Sequence, residues 1–248
     1  MEQPSSPGTN PVEISRCIEE IVKFTLESHM KQNLQLDLAL SKDFCSFLLR
    51  HVPVTSDSCV KESQYPLYKR LATALYELIT CAAASNGTFS KNQDNELVLK
   101  EGSELVELLK AVNFELHVQE PYFTQLKDGL KTVEGRCAVG DYSRIGPGAL
   151  ILFNKCLVLE VQDVERYGSF YEMLQAQSLA KVLPGIKSIV EGVQVYRKFY
   201  TEEKEQSNGV LAICVAKWPA QPFFHIARIL NQLSYEGLQS LLGLNDHN

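Results

Sequence analysis

The densest group of chemically active side chains lies within eight residues, Gly129–Arg136. Lys131, Glu134 and Arg136 bring two positive charges and one negative charge into this stretch. If residues 132–136 form a strand, Glu134 and Arg136 point to one face, because side chains alternate along a strand. An arginine can bind a phosphate or a base edge, a lysine supplies a compact positive charge, and a carboxylate can accept from an exocyclic amine. The stretch therefore predicts one wall of a polar binding cleft.

A structural role fits the same three side chains. They could form an internal ion pair that fixes the strand, with no ligand involved. An exposed Glu–Arg pair is also common on protein surfaces and contributes little to stability. The residues alone leave these interpretations open.

A second candidate group lies on a predicted helix over residues 188–200. Tyr196 and Tyr200 share a face of this helix, because they are four residues apart. Tyr200 could stack on a base while Arg197 or Lys198 binds a phosphate. Alternatively, both tyrosines pack the helix against its neighbours, and for Tyr196 we favour packing.

The hydrophobic pattern changes from helical to mixed near residue 113, which places the candidate residues in the second part of the chain. Apolar residues recur at helical spacing before this point, and alternating strand patterns appear after it. The predicted fold class is α+β. The predicted segments are a disordered tail (1–10), a helical domain (11–113), a mixed domain (114–217) and a C-terminal helical tail (218–248).

Composition excludes several classes of protein. The chain has 248 residues, 45% of them hydrophobic, as in ordinary globular proteins. A net charge of -6 excludes a polycation that coats nucleic acid, so any such contact must use a local patch. The seven cysteines show no C-x-x-C pair or zinc-ligand spacing, so we expect no metal and no cofactor. The same cysteine pattern is typical of a reduced intracellular protein, and we expect it in the cytoplasm, the nucleus or both. No apolar run is long enough to span a membrane, and no membrane contact is expected.

The segment LHVQEPYFTQLKDGLKTVEGR (116–136) resembles the opening of the ASCH domain. The family motif Gly-x-Lys-x-x-Glu-x-Arg is filled here by Gly129 and the three charged residues that follow it. The turn Gly146–Gly148 and the segment GVQVYRKFY (192–200) continue the likeness in order. The resemblance covers roughly residues 114–217 and leaves the N-terminal helical half unmatched.

This resemblance implies a PUA-like β-barrel with helices beside a cleft. It also implies an RNA-binding module, with RNA or a modified nucleoside as the partner. The nucleotide-binding residues are then expected to be Lys131, Glu134, Arg136, Arg197 and Tyr200.

Two alternatives remain beside RNA binding: an N4-acylcytidine amidohydrolase or another enzyme that processes nucleosides or RNA, and a protein-interaction scaffold. Some small ASCH proteins hydrolyse the N4-acyl group of acetylated cytidine, with a motif Lys-x-x-Thr-x-Arg in which the threonine is the proposed nucleophile. Glu134 stands where that threonine would be, and a carboxylate cannot replace an alkoxide without a change of mechanism. We therefore expect binding ahead of catalysis; in an amidohydrolase, Lys131 and Glu134 would be the catalytic candidates. The other alternative is a protein-interaction scaffold, whose partner could dock on the N-terminal helices.

Overall fold

The computed structural model describes residues 12–34, 36–50, 66–84 and 93–244, so the predicted disordered tail at 1–10 lies outside the described residues. In chain order the elements are α1 (Ile14–Met30), α2 (Lys42–Leu49), α3 (Leu67–Ala84), α4 (Gln93–Ala111), β1 (Phe114–Leu116), α5 (Tyr122–Asp128), β2 (Val133–Cys137), a 3-10 helix (Gly140–Arg144), β3 (Leu150–Phe153), β4 (Leu157–Tyr167), α6 (Phe170–Gln177), α7 (Leu179–Val182), α8 (Ile189–Arg197), α9 (Glu202–Asn208), β5 (Val210–Lys217) and α10 (Pro222–Leu241).

These elements form two units. The mixed unit is Ala111–Pro219, and the helical unit is Glu13–Lys110 together with the segment from Ala220 onward. The helical unit is therefore built from two separate stretches of chain. The sequence predicts a separate C-terminal tail at residues 218–248, whereas α10 packs against α1 and α3 within the helical unit.

Apolar stripes at helical spacing build the core of the helical unit. Ile18 and Ile21 on α1 are fully buried, as are Leu71 and Leu75 on α3. Residues three and four apart lie on one face of a helix, so these stripes meet across the helix interface. The apolar face of α10 packs against α1 and α3 and adds its side chains to the same core.

The mixed unit contains a five-stranded sheet in the order β1-β3-β4-β5-β2, which curves as a half-barrel. β1 pairs in parallel with β3, and the other neighbours are antiparallel. The predicted α+β class is confirmed. β1 and β2 lie at the two edges of the sheet, so any contact between them must come from side chains or loops.

Helices α6 to α9 connect β4 to β5 and pack over one face of the sheet. Phe170 at the start of α6 stacks on two tyrosines, with ring centroids 4.0 Å from Tyr196 and 5.5 Å from Tyr200. These rings form one buried cluster with Val133 and Cys137 of β2. Large aromatic side chains bury much apolar area each, so this cluster fixes α8 on the sheet.

Two turns of α5 lead into the charged strand. Gly129 ends α5 with φ 77°, a left-handed conformation that favours glycine. The amides of Leu130 and Lys131 then both donate to the carbonyl oxygen of Gln125, which closes the helix. β2 begins at Val133, and all five of its residues are buried. Side chains of β2 therefore alternate between two faces that are both buried, and neither face is exposed to solvent.

Among the described residues, we find no helix with the length and apolar content that a membrane span needs. The predicted intracellular location stays a prediction.

Gly135 of β2 lies close against Tyr196 of α8 and Met173 of α6. A Cβ at this position would lie 2.4 Å from the Tyr196 hydroxyl oxygen and 2.7 Å from Met173 Cε. Tyr196 cannot move easily, because its ring is stacked on Phe170. We expect Gly135→Ala to lower the free energy of unfolding by about 1–3 kcal/mol. Urea denaturation followed by the fluorescence of Trp218, the single tryptophan of the chain, measures this change in the mixed unit.

Gly146→Ala is the matched control, because a Cβ there meets nothing within 4 Å. Equal stability of the two variants would contradict the close packing at Gly135.

Candidate functional site

Lys131 is buried and uses its ammonium group to join two parts of the mixed unit. Its side chain is 2% exposed. Nζ donates to the carbonyl oxygen of Val133 at 2.7 Å and to that of Val182, and it lies 3.1 Å from Glu134 Oε2. An ammonium group has three N–H donors, so these three contacts use all of them. Lys131 therefore ties α7 to β2.

Glu134 lies between the two cations of the stretch. Its Oε2 pairs with Lys131, and its Oε1 lies 2.8 Å from Arg136 Nε. Each carboxylate oxygen thus has its own positive partner. We call Lys131, Glu134 and Arg136 the charge trio.

Arg136 bridges the two edges of the sheet. It projects from β2, and its Nη2 donates to the carbonyl oxygen of His117 at 2.6 Å. His117 directly follows β1, the strand at the opposite edge. The guanidinium also lies over the Tyr142 ring, with 6.0 Å between Cζ and the ring centroid. A planar cation with several donors suits such a bridge better than lysine would.

Burial and mutual attraction act in opposite directions on these charges. Burial by itself raises the pKa of the Glu134 carboxyl, but Lys131 and Arg136 outweigh it and hold that pKa below its ordinary value. Burial lowers the pKa of Lys131, and Glu134 offsets this only in part. For Arg136, burial again lowers the pKa, but Glu134 overcomes it and the pKa is raised. Lys131 Nζ faces three acceptors, the carbonyl oxygens of Val133 and Val182 and the Glu134 carboxylate, and this arrangement suits an ammonium group with three donors. The contacts of the trio are thus those of two cations around one carboxylate.

A cavity of ≈ 120 Å³ lies directly over the charge trio. Its floor is Lys131, Glu134, Gly135 and Arg136, and the loop after β1 forms one side. Most of the remaining wall is aromatic or aliphatic. These wall residues are Tyr122, Leu183, Val195, Tyr196, Phe199 and Tyr200. The cavity thus combines flat apolar walls with a charged floor.

Of the five residues predicted to contact a nucleotide, the structure brings four to this cavity. Arg197 is the exception, since it is not part of the lining. Its guanidinium pairs with the buried Glu205, and its Nε lies 3.6 Å from Glu202. Arg197 therefore holds α9 beside α8. The next residue in the chain, Lys198, is also basic and is exposed.

Phe199 is a further candidate that the sequence motif does not include. It lines the cavity and is 39% exposed, so it lies at the rim. Tyr122 is a second, and its ring lies 6.0 Å from Lys131 Nζ. The signal for Phe199 was its position in the segment GVQVYRKFY, directly before Tyr200. The sequence feature that could have indicated Tyr122 is the pair of aromatic residues directly after Pro121.

One group among the described residues has the ligand types of a metal site, and it lies in the helical unit. Glu101, Glu104 and His225 bring ligand atoms within 4.8 Å of one another. However, the Glu101 carboxylate already pairs with His225 Nδ1 at 2.7 Å and with Arg228 Nη1 at 3.2 Å. We interpret the group as an ion-pair network, and the expected absence of a metal or cofactor stays a prediction.

Comparison with known proteins locates one family. The model of the ASCH domain matches residues 116–219. The crystal structure of hypothetical protein PH0355 is 43% identical, covers 42% of this chain and 97% of that one, and has a TM-score of 0.41. The solution structure of protein PF0455 from Pyrococcus furiosus is 42% identical, covers 43% of this chain and 97% of that one, and has a TM-score of 0.39. The comparison with curated proteins gave no match.

Loss of the Lys131 ammonium group should unfold the mixed unit more readily. Lys131→Met keeps a long side chain but leaves Arg136 as the only cation beside Glu134, and it removes the tie to Val182. Removing one partner of a buried ion pair typically costs about 3–5 kcal/mol, and we expect a loss of this size. Urea denaturation with Trp218 fluorescence measures it. Lys198→Met, at an exposed lysine, should change stability by less than about 0.5 kcal/mol.

The charge trio should also make the mixed unit sensitive to acid. The pKa of Glu134 is lower in the folded state than in the unfolded state. Its contribution is therefore complete above the unfolded pKa and is lost as pH falls through the folded pKa. We expect the free energy of unfolding to fall more steeply below about pH 4.3 in the wild type than in Glu134→Gln. Denaturation curves at several pH values between neutral and acid test this, and parallel curves would contradict it.

Proposed function

This chain is an ASCH-domain protein with a PUA-like fold in residues 116–219, and from this premise we propose that it binds single-stranded RNA, with one base inside the cavity over the charge trio. The observation that carries this proposal is the cavity itself. Flat apolar walls and a charged floor match a nucleobase, which has apolar faces and polar edges.

The walls supply the stacking surface. Tyr122 and Phe199 contribute aromatic rings from different elements, and Leu183 and Val195 fill the remaining apolar wall. Stacking of a base on an aromatic ring contributes about 1–3 kcal/mol and tolerates any base. Such walls therefore favour an unpaired base, because a base inside a duplex has no free face.

The size of the cavity limits what enters it. At ≈ 120 Å³ it is smaller than the roughly 300–1,000 Å³ of pockets for drug-sized ligands. One base is the part of an RNA strand that suits this volume. The sugar and the phosphates then remain outside, at the rim.

Charges at the rim favour one side for the RNA backbone. The carboxylate of Glu191 contributes to the raised pKa of Tyr122, after burial as the main cause, which places a negative charge on that side. Lys198, next to Phe199, is an exposed basic residue. A phosphate is repelled by the first and attracted by the second, so we expect the backbone to pass near Lys198.

The contacts of Lys131 favour binding over the amidohydrolase alternative. A lysine that acts as a base needs a free lone pair on neutral Nζ, whereas this Nζ directs its three donors to Val133, Val182 and Glu134. The carboxylate at position 134 also lacks the hydroxyl nucleophile. The scaffold alternative would be favoured by a cleft filled with its own side chains, and here the cleft holds open volume.

Phe199→Ala tests the proposal without disturbing the buried trio. Removing one stacking ring should weaken the binding of a labelled ten-nucleotide single-stranded RNA by about 5- to 150-fold. Fluorescence anisotropy at two salt concentrations measures this, and wild-type affinity should fall as salt rises because phosphates are contacted.

Tyr171→Ala is the matched control, since Tyr171 is an exposed aromatic residue of the same unit outside the cavity lining. Equal weakening by the two variants, or none by Phe199→Ala, would remove the cavity as the RNA site. Release of cytidine from N4-acetylcytidine by the wild-type protein would instead support the amidohydrolase alternative.

A further inference from the structure

Two exposed polar residues lie at the rim of the cavity, on the loop that joins β1 to α5. The lining residues that are exposed to solvent are His117, Gln119 and Phe199. Phe199 is apolar, so the exposed hydrogen-bonding side chains of the rim are those of His117 and Gln119. Among the described residues, neither side chain has a hydrogen-bond or ion-pair partner. The side chains of the charge trio, in contrast, already pair with one another.

The backbone of this loop is held by side chains from two other parts of the mixed unit. Asn154, in the turn between β3 and β4, accepts from the amide of Val118 at 2.7 Å and donates to its carbonyl oxygen at 2.8 Å. Arg136 of β2 donates to the carbonyl oxygen of His117 at 2.6 Å. The loop therefore presents its polar side chains from a fixed backbone, which lowers the entropy lost when a ligand binds.

The position of the loop determines which part of a nucleotide it meets. With one base in the cavity, the sugar stays at the rim, where His117 and Gln119 lie. A side-chain amide offers both donors and an acceptor, and a neutral imidazole offers one of each. The ribose 2′-hydroxyl likewise both donates and accepts. Phosphate oxygens only accept, and they are better matched by the basic Lys198.

We infer that Gln119, together with His117, hydrogen-bonds the 2′-hydroxyl of the bound nucleotide, so that the cavity selects RNA over DNA. This inference rests on the proposed RNA-binding function. It adds to that function the part of the nucleotide that is recognised and the side chains that recognise it. The selectivity is modest, because water replaces a lost hydrogen bond at an exposed side chain.

Two strands that differ only at the 2′ position give the sharpest test. The labelled ten-nucleotide RNA is compared with a DNA of the same sequence that carries uracil in place of thymine, by fluorescence anisotropy with the full-length protein. The wild type should bind the RNA more tightly. Gln119→Ala should weaken RNA binding by about 2- to 10-fold and leave DNA binding nearly unchanged. His117→Ala combined with Gln119→Ala should bring the RNA affinity close to the DNA affinity.

Gln175→Ala is the matched control, because Gln175 is an exposed glutamine of α6 outside the cavity lining, and it should keep the preference of the wild type. Added salt should lower both affinities but leave their ratio nearly unchanged, because the two strands carry the same phosphates. The urea denaturation curve of Gln119→Ala should overlay that of the wild type, since only an exposed side chain is removed. Equal wild-type affinity for RNA and DNA would overturn the inference, and so would an equal loss for both strands, or no loss, in Gln119→Ala.

The same measurements distinguish a failure of the inference from a failure of the proposed function. If Phe199→Ala weakens both strands but the wild type binds them equally, the cavity holds single-stranded nucleic acid and the recognition of the sugar is wrong. If the wild type binds neither strand, both the proposed function and the inference fail.

Discussion

The ion pairs of Glu134 with Lys131 and Arg136 are the interaction on which the mixed unit depends. Through Lys131 the carboxylate is linked to the carbonyl oxygen of Val182, and through Arg136 it is linked to that of His117. The first link holds a helix against β2, and the second joins the two edges of an open sheet. A neutral side chain at position 134 would leave two buried cations side by side, which is a costly arrangement. The same three side chains therefore join the edges of the sheet and supply the charges of the cavity floor.

The buried charge trio and the aromatic residues of the cavity have different roles. Lys131 has no donor left for a ligand, so it acts on the cavity through the elements that it positions. Phe199 at the rim, which is 39% exposed, remains available for contact. A site whose walls are already fixed loses little conformational entropy on binding, so modest contacts can give useful affinity.

Local sequence patterns predicted much of the mixed unit because they determine local structure. Gly129 ends α5, and Ser169 begins α6 by accepting from the amide of Glu172, and both residue types are typical of these helix ends. The ASCH resemblance and the fold class are confirmed. The partners of Lys131 and Arg136 could not be predicted in this way. Both cations bind backbone carbonyl groups, which carry no residue type to recognise, and one of these lies 51 residues away. The pairing of Arg197 with Glu205 could not be predicted for a related reason. The two residues lie on different helices and meet only because the chain turns between α8 and α9.

The division of the helical unit into two stretches of chain has a consequence for biosynthesis. Helices α1 to α4 leave the ribosome first, but α10, which packs on α1 and α3, begins only at Pro222. The whole mixed unit is translated in between, at a rate of roughly 5–20 residues per second. The ASCH domain can thus complete its sheet as soon as β5 emerges. The apolar faces that α10 covers must wait several seconds longer for it, which makes the earlier helices the part of the nascent chain with most need of chaperone protection.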